Sequence, residues 1–195
     1  MTAPRRGRPA TIDQSTVVKS ALELISRVGV DGLTMKALAQ ELGVTPMAAY
    51  RYVDSKAALL ELVVDEVLAR AAPPATGSWD ERLWVLLWSN FEQVSRYPGL
   101  ADYLYQGTIS EPGRRVLEQA VGLLSESGLS SAEARLAFSG IYAYMIGRLV
   151  LRARSMERGT PETVAGQGPV PSLAEMASEA HIRAGYLALV AGFTR

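Results

Sequence analysis

The feature that most constrains this chain is a pair of helix start and stop signals set close together, between residues 34 and 46. Thr34 is placed to cap a helix, and Leu38 begins an apolar i, i+4 repeat behind it. Gly43 then stands where a left-handed residue commonly ends a helix. Thr45 caps again, and Pro46 takes the first helical position, where a missing N–H costs nothing. Two short helices joined by so tight a turn predict a helix-turn-helix, which lays its second helix in the DNA major groove.

Residues from about 17 to 60 resemble the DNA-binding domain of TetR-type (tetracycline-repressor-like) transcriptional regulators. The resemblance is carried by two segments, ALELISRVGVDGLTMKALAQELGV and TPMAAYRYVDSKAALL. Two positions depart mildly from the family pattern: Val53 stands where an aromatic is common, and Tyr52 where His or Trp often sits. The resemblance covers roughly the first third of the chain. For the remainder it implies only an all-helical structure.

The remainder of the chain also carries helical patterns, so we predict an all-α fold of about nine helices. It comprises an N-terminal three-helix helix-turn-helix domain and a C-terminal helical bundle. Capping boxes at Ser78, Ser130 and Ser172, each followed by a glutamate three residues later, predict further helix starts. Four predicted bounds matter below: helix 1 from Thr11 to about Val28, helix 3 over about 46–53, helix 4 to about Ala71, and one continuous last helix from Ser172 to the C-terminus.

We divide the chain into three parts, with the boundary inside helix 4 because that helix links the two domains in TetR-type proteins. They are a basic flexible arm (1–10), the helix-turn-helix domain (11–60), and a ligand-binding and dimerisation domain (61–195). Within the last part, the Gly- and Pro-rich segment 159–171 is predicted to be a mobile loop.

Composition narrows the class of protein. The chain has no cysteine, which excludes disulfides and thiolate metal sites, and we expect no metal or other cofactor. No uncharged apolar run approaches the roughly 20 residues that a membrane span needs, so we expect a cytoplasmic protein without a membrane partner. Residues 1–56 carry eight Lys or Arg against five Asp or Glu, which places the positive surplus beside the predicted DNA reader.

The predicted DNA contacts come from the start of helix 2, from helix 3, from the start of helix 4 and from the arm. Arg51 is suited to reading guanine bidentately or to holding phosphate. Tyr50 and Tyr52 are suited to phosphate oxygens, the alternative being core packing. Lys56 begins helix 4, where a helix N-terminus already favours phosphate, the alternative being a solvated lysine. The full set is Thr34, Lys36, Thr45, Pro46, Met47, Ala48, Tyr50, Arg51, Tyr52 and Lys56, with Arg5, Arg6 and Arg8 of the arm entering a minor groove or remaining solvated.

A candidate ligand pocket lies around helix 5, which is apolar on nearly every face. Trp84, Trp88 and Phe91 fall at i, i+4 and i+7 and form one aromatic stripe, which fits either core packing or an apolar pocket with a few polar groups. Arg148 lies in an otherwise apolar helix and needs an anionic partner if it is buried; a surface position is the alternative. The candidate ligand residues are Trp84, Trp88, Asn90, Phe91, Tyr103, Tyr142, Met145 and Arg148.

The last two long helices are the candidate dimer interface, since TetR-type proteins pair them into an intersubunit four-helix bundle. The predicted helix 8 is apolar over most of its circumference, so it must be covered on two sides, and a second chain supplies one of them. The candidate interface residues are Phe138, Tyr144, Leu149, Ala180, Ala184 and Leu187.

The resemblance implies a repressor that binds a palindromic double-stranded DNA operator as a homodimer and is released by a small-molecule effector that shifts helices 4 and 6. Two alternatives stay open. One is an activator or a ligandless regulator; the other is a small-molecule-binding protein or enzyme with a vestigial helix-turn-helix. Against the enzyme, His181 is the one histidine of the chain, and no catalytic motif accompanies it.

Overall fold

The computed structural model describes residues 12–70, 72–106, 111–157 and 171–194. Every regular element in these ranges is an α-helix, which confirms the predicted all-α class. The ten helices are α1 (Gln14–Gly32), α2 (Met35–Glu41), α3 (Pro46–Ala49), α4 (Lys56–Leu68), α5 (Trp79–Ser95), α6 (Leu100–Gln106), α7 (Glu111–Ser125), α8 (Ser131–Glu157), α9 (Leu173–Ala177) and α10 (Glu179–Phe193). Outside the described residues lie the arm with Arg5, Arg6 and Arg8, the predicted cap Thr11, and nearly all of the predicted loop 159–171.

Side-chain caps start the helices of the N-terminal domain. The Thr34 hydroxyl accepts the Ala37 N–H at 3.0 Å, and the Thr45 hydroxyl accepts the Ala48 N–H at 3.2 Å, which confirms both predicted caps. Helix α1 starts from Asp13 instead of Thr11, since the Asp13 carboxylate accepts the Thr16 N–H at 2.8 Å.

Helix α3 ends four residues earlier than predicted, at Ala49. The next amides bond three residues back, Arg51 to the Ala48 carbonyl at 3.1 Å and Tyr52 to the Ala49 carbonyl at 3.0 Å, so the chain continues in tighter turns. Ala49 and Val53 face inward as the periodicity requires, with 0% and 5% of their surface exposed. The short helix is therefore held by its inner face.

Three other helix bounds differ from the prediction. Helix α1 has a break at Gly29 (φ 72°, ψ 174°) and then takes one more turn to Gly32. Helix α4 ends at Leu68, before the predicted Ala71. The predicted last helix is two helices, because Ser178 is extended (φ −70°, ψ 147°) and its hydroxyl caps α10 by accepting the His181 N–H. That break brings the described helices to ten instead of about nine.

One continuous apolar core runs from Val17 in α1 to Val190 in α10. Helix α4 packs against α1 on one side and against α5 and α7 on the other, so it joins the two parts of the core. Helix α8 packs against α5, α6, α7, α9 and α10. Among the residues that the structure describes, each helix is too short or too polar to span a bilayer.

Helices α8 and α10 approach closely where Tyr144 crosses Gly185. The Tyr144 hydroxyl donates to the Ile182 carbonyl at 3.1 Å, and its ring carries the Arg148 guanidinium 4.9 Å from its centroid. A Cβ at position 185 would overlap the Tyr144 hydroxyl and lie 2.5 Å from its Cζ. Any larger residue at position 185 therefore requires the Tyr144 side chain to shift.

Replacing Gly185 by alanine should destabilise the protein by about 1–3 kcal/mol, because Tyr144 must leave its hydrogen bond to admit the methyl group. Urea unfolding at fixed chain concentration measures the effect. Gly122→Ala is the matched control, since a Cβ there meets nothing within 4 Å and a helical alanine should add about 0.5–1 kcal/mol. Equal changes in the free energy of unfolding for the two variants would contradict the account of the crossing.

Candidate nucleic-acid interface and apolar cavity

The outer face of α3 is open to solvent. Met47 is 80% exposed and Tyr50 47%, and Thr45, Pro46 and Arg51 are exposed beside them. On the opposite side Ala49 is fully buried against the core. A short helix anchored on one face and bare on the other has the form that a major-groove reader needs.

The other predicted DNA residues of the described range are also accessible, with two exceptions. Tyr52 is 37% exposed, so neither it nor Tyr50 is a core residue. Thr34 and Lys36 are exposed at the start of α2, where the Thr34 hydroxyl is already engaged as a cap. The exceptions are Ala48 and Lys56, which are half-buried.

Lys56 makes a contact that its sequence position did not predict. Its ammonium donates to the Val30 carbonyl at 2.8 Å, across the break that Gly29 makes in α1. An ammonium has three N–H donors, so this bond leaves two for a phosphate. The lysine is thus part of the internal structure of the domain as well as a candidate DNA contact.

The same Val30 joins the helix-turn-helix to the bundle. Its N–H donates to the Pro98 carbonyl at 2.9 Å, in the loop between α5 and α6. Gly99 follows with φ 82°, and a Cβ there would lie 3.1 Å from the Val30 Cβ. We name Val30, Lys56, Pro98 and Gly99 the junction. Through it, the end of α1 is fixed to the start of α6.

An apolar cavity lies in the bundle, lined by α4, α5, α6, α7 and α8. Its volume is about 110 Å³, against roughly 10–15 Å³ needed to hold one water molecule. Its described walls are aliphatic and aromatic side chains with two polar groups, Asn90 and Tyr142. The lining residues are Val64, Leu68, Leu87, Asn90, Phe91, Val94, Leu104, Gly113, Val116, Leu117, Phe138, Tyr142, Met145, Ile146 and Leu149.

The structure brings half of the candidate ligand residues to this cavity, namely Asn90, Phe91, Tyr142 and Met145. Trp84, Trp88, Tyr103 and Arg148 lie outside its walls. Arg148 donates to the Met176 carbonyl near the end of α9 at 3.3 Å and rests on the Tyr144 ring. The Arg148 guanidinium is therefore paired with a carbonyl near the end of α9 and with the face of an aromatic ring.

The aromatic stripe of α5 is mainly a packing element. Trp84 and Trp88 stack with ring centroids 5.2 Å apart, and Trp88 and Phe91 stack at 4.9 Å. Two guanidinium groups cover the tryptophans, Arg183 over Trp84 at 5.6 Å and Arg152 over Trp88 at 5.7 Å. Phe91 is the one member of the stripe found among the described wall residues of the cavity.

The candidate dimer residues separate into three groups. Phe138 and Leu149 are buried in their own protomer, 7% and 4% exposed, and line the cavity, so they are not free to meet another chain. Tyr144 is a residue of α8 whose hydroxyl is bonded to α10 of the same protomer. Ala180, Ala184 and Leu187 are exposed on α10. Leu136 of α8 was not among the candidates, yet it is 69% exposed.

Several cavity residues carry no signal that sequence reasoning could use. Val64 and Leu68 of α4, Leu104 of α6 and Val116 of α7 are ordinary apolar residues on amphipathic helices. Each helix contributes them on its core-facing side, where they look like any packing residue. They form the wall of a cavity only because the fold brings five helices together.

Comparison with known proteins gives the family. Residues 17–63 match the model "Bacterial regulatory proteins, tetR family", and residues 72–184 match "Tetracyclin repressor-like, C-terminal domain". The HTH-type transcriptional repressor DrrR1 of Streptomyces coeruleorubidus is 31% identical over 80% of this chain and 60% of its own length. The match thus spans less than two thirds of that relative.

Two further proteins match over nearly their whole length. The class A tetracycline repressor protein from transposon 1721 of Escherichia coli is 30% identical over 89% of this chain and 83% of its own. A variant of TetR from Acinetobacter baumannii AYE, solved in complex with minocycline, superposes with a TM-score of 0.76 at 27% identity, covering 94% of this chain and 97% of that one. With an exposed helix-turn-helix fixed to a helical bundle, and with both parts matched by these family models, the chain belongs to the tetR family of bacterial regulatory proteins.

Proposed function

We propose that this protein is a transcriptional repressor that binds a palindromic operator as a homodimer and is released by a small-molecule effector. The observation that carries the proposal is the junction, which fixes an exposed reading helix to a bundle that contains an apolar cavity. The names of relatives point the same way, since DrrR1 and the class A protein are both repressors.

The DNA part of the proposal assigns separate roles to two exposed cations. Arg51 follows Tyr50, the C-cap of α3, and is placed to read a base edge, where a bidentate contact to guanine gives sequence preference. Lys36 lies at the exposed start of α2 and is placed to hold a phosphate, which gives affinity without preference.

The dimer part rests on an uncovered apolar face of α8 and α10. Leu136 and Leu187 are 69% and 46% exposed, and Ala143, Ala180 and Ala184 are exposed on the same two helices. One helix-turn-helix covers little DNA, so two copies one helical turn apart, about 34–36 Å, are the usual arrangement. This face is where we place the second copy.

The effector part places the ligand in the cavity. In the related A. baumannii variant the ligand is minocycline. Helix α4 supplies Val64 and Leu68 to the wall, and α6 supplies Leu104. Since α6 begins immediately after Pro98 and Gly99, a ligand that displaces it also moves the residue to which Val30 is bonded. The displacement reaches the helix-turn-helix by that route.

Release requires that the effector bind the non-operator conformation more tightly than the operator conformation. A ligand with equal affinity for both would leave the equilibrium unchanged, however tightly it bound. A differential affinity of about 1–3 kcal/mol, which is typical of allosteric coupling, weakens operator binding roughly 5- to 150-fold.

Exchanging Arg51 for alanine should change which sequences are bound, with a loss of about 1–3 kcal/mol at the preferred base, because a base contact disappears. Lys36→Ala should weaken all sequences about equally and lower the salt dependence by about one counterion, because only a phosphate contact disappears. Duplexes selected from a randomised pool, followed by titration at several salt concentrations, measure both effects. Unchanged binding in both variants, or failure of the unmodified protein to select any sequence, would refute the proposed DNA contacts.

Placing an aspartate at Leu187 should convert the dimer to monomers, because two carboxylates would enter an apolar interface. Operator affinity should then fall by more than about tenfold, since the two half-sites are no longer bound together. Analytical ultracentrifugation gives the oligomeric state. Val85→Asp is the matched control, a residue of similar exposure (43%) on α5, and it should leave the dimer intact. A dimer that survives Leu187→Asp places the interface elsewhere.

A further inference from the structure

The described walls of the cavity are uncharged. They carry aliphatic groups, the aromatic rings of Phe91 and Phe138, one amide at Asn90 and one phenol at Tyr142. Burial raises the pKa of Tyr142, so its phenol stays neutral at physiological pH. An ionic ligand would leave water without gaining a counter-charge from these walls, which makes its transfer unfavourable.

Asn90, a residue of this wall, holds a buried and unsatisfied hydrogen-bond acceptor. Its Nδ2 donates to the Leu86 carbonyl at 2.8 Å, which fixes which end of the amide is the oxygen. Its Oδ1 is buried and has no hydrogen-bond donor among the described residues. A buried acceptor without a donor is unfavourable, and a donor that satisfies it recovers that loss.

Asn90 lines the cavity, and its Oδ1 is covered by surrounding protein atoms beside that wall. The terminal torsion of an asparagine side chain is broad, so the amide can rotate to turn Oδ1 toward a ligand, and the ligand's donor then replaces the bond from Nδ2 to the Leu86 carbonyl. The cavity therefore selects a ligand by both shape and polarity. The ligand needs an apolar body that fits the walls and one N–H or O–H that donates to the Asn90 amide.

We propose that the effector is an uncharged, largely apolar molecule that donates a hydrogen bond to the Asn90 amide oxygen. This rests on the proposed function in one respect, that the cavity is the effector site. It goes beyond that function by naming the ligand class. Neutral fused-ring compounds with a hydroxyl or amine group belong to this class; carboxylates and ligands that bind through a chelated metal ion do not.

Three probes of the same ring system separate the requirements. β-Naphthol is neutral and donates through its hydroxyl, its methyl ether has nearly the same shape without a donor, and β-naphthoate carries a negative charge. Calorimetric titration of the unmodified full-length protein should show β-naphthol binding about five- to tenfold more tightly than the ether, the range expected for one satisfied buried acceptor. β-Naphthoate should bind at least tenfold more weakly than β-naphthol.

Replacing Asn90 by leucine should bring the ratio of naphthol to ether affinity close to one, because the acceptor is gone while the apolar volume remains. Gln93→Leu makes the same chemical change on α5 outside the described wall, and it should leave the ratio unchanged. Thermal unfolding of each variant establishes that it folds. If Asn90→Leu does not fold, the comparison of the three probes on the unmodified protein still decides the proposal.

The proposal is overturned if the ether binds the unmodified protein as tightly as β-naphthol, if β-naphthoate binds best, or if none of the three binds at millimolar concentration. A naphthol preference that survives Asn90→Leu would overturn the assignment to that amide. Operator binding is measured separately, without probe. A protein that shows the naphthol preference but binds no operator would disprove the repressor function and leave the ligand class standing.

Discussion

The arrangement of the molecule depends on a short backbone contact, the Val30 N–H held 2.9 Å from the Pro98 carbonyl. It fixes the last turn of α1 to the loop that starts α6, and Lys56 holds the carbonyl of the same valine from the start of α4. A hydrogen bond of this kind contributes only about 0.5–1.5 kcal/mol net. Together with the packing of α4 against α1, α5 and α7, this contact holds the helix-turn-helix against the bundle. In the proposed mechanism, a contact this weak is one that a ligand of modest selectivity can shift.

The apolar residues of α8 serve two different neighbours. One side, with Phe138, Met145 and Leu149, closes the cavity, while Leu136 stands free on the other. In the proposed mechanism, α8 therefore connects the effector cavity to the partner chain through a single helix. The close crossing of Tyr144 over Gly185 then holds α10 to the same helix, so the proposed dimer face and the cavity wall share one support.

Local chemistry explains which features could be predicted from the sequence. The caps at Thr34 and Thr45 follow from bonds within three residues, and they were predicted correctly. The contact of Lys56 with Val30 spans 26 residues of chain and depends on the break at Gly29. The apolar periodicity of the sequence therefore does not predict it. Phe138 and Leu149 were assigned to the partner because a helix that is apolar all round does not reveal which side faces the core. Trp84 and Trp88 were correctly grouped in a stripe, but helical spacing gives no information on which ring borders a cavity.

We propose that a homodimer presents its two copies of α3 together, at a spacing that fits DNA. Since the chain has no cysteine, Met47→Cys creates one labelling site per protomer, on a residue that is 80% exposed. Pulsed electron–electron dipolar spectroscopy on the spin-labelled protein, without effector, then measures the distance between the two reading helices. We expect one narrow maximum in the distance distribution, within a few ångströms of one helical turn of DNA, about 34–36 Å. Absence of dipolar coupling between protomers, or a maximum far from that spacing, would contradict it.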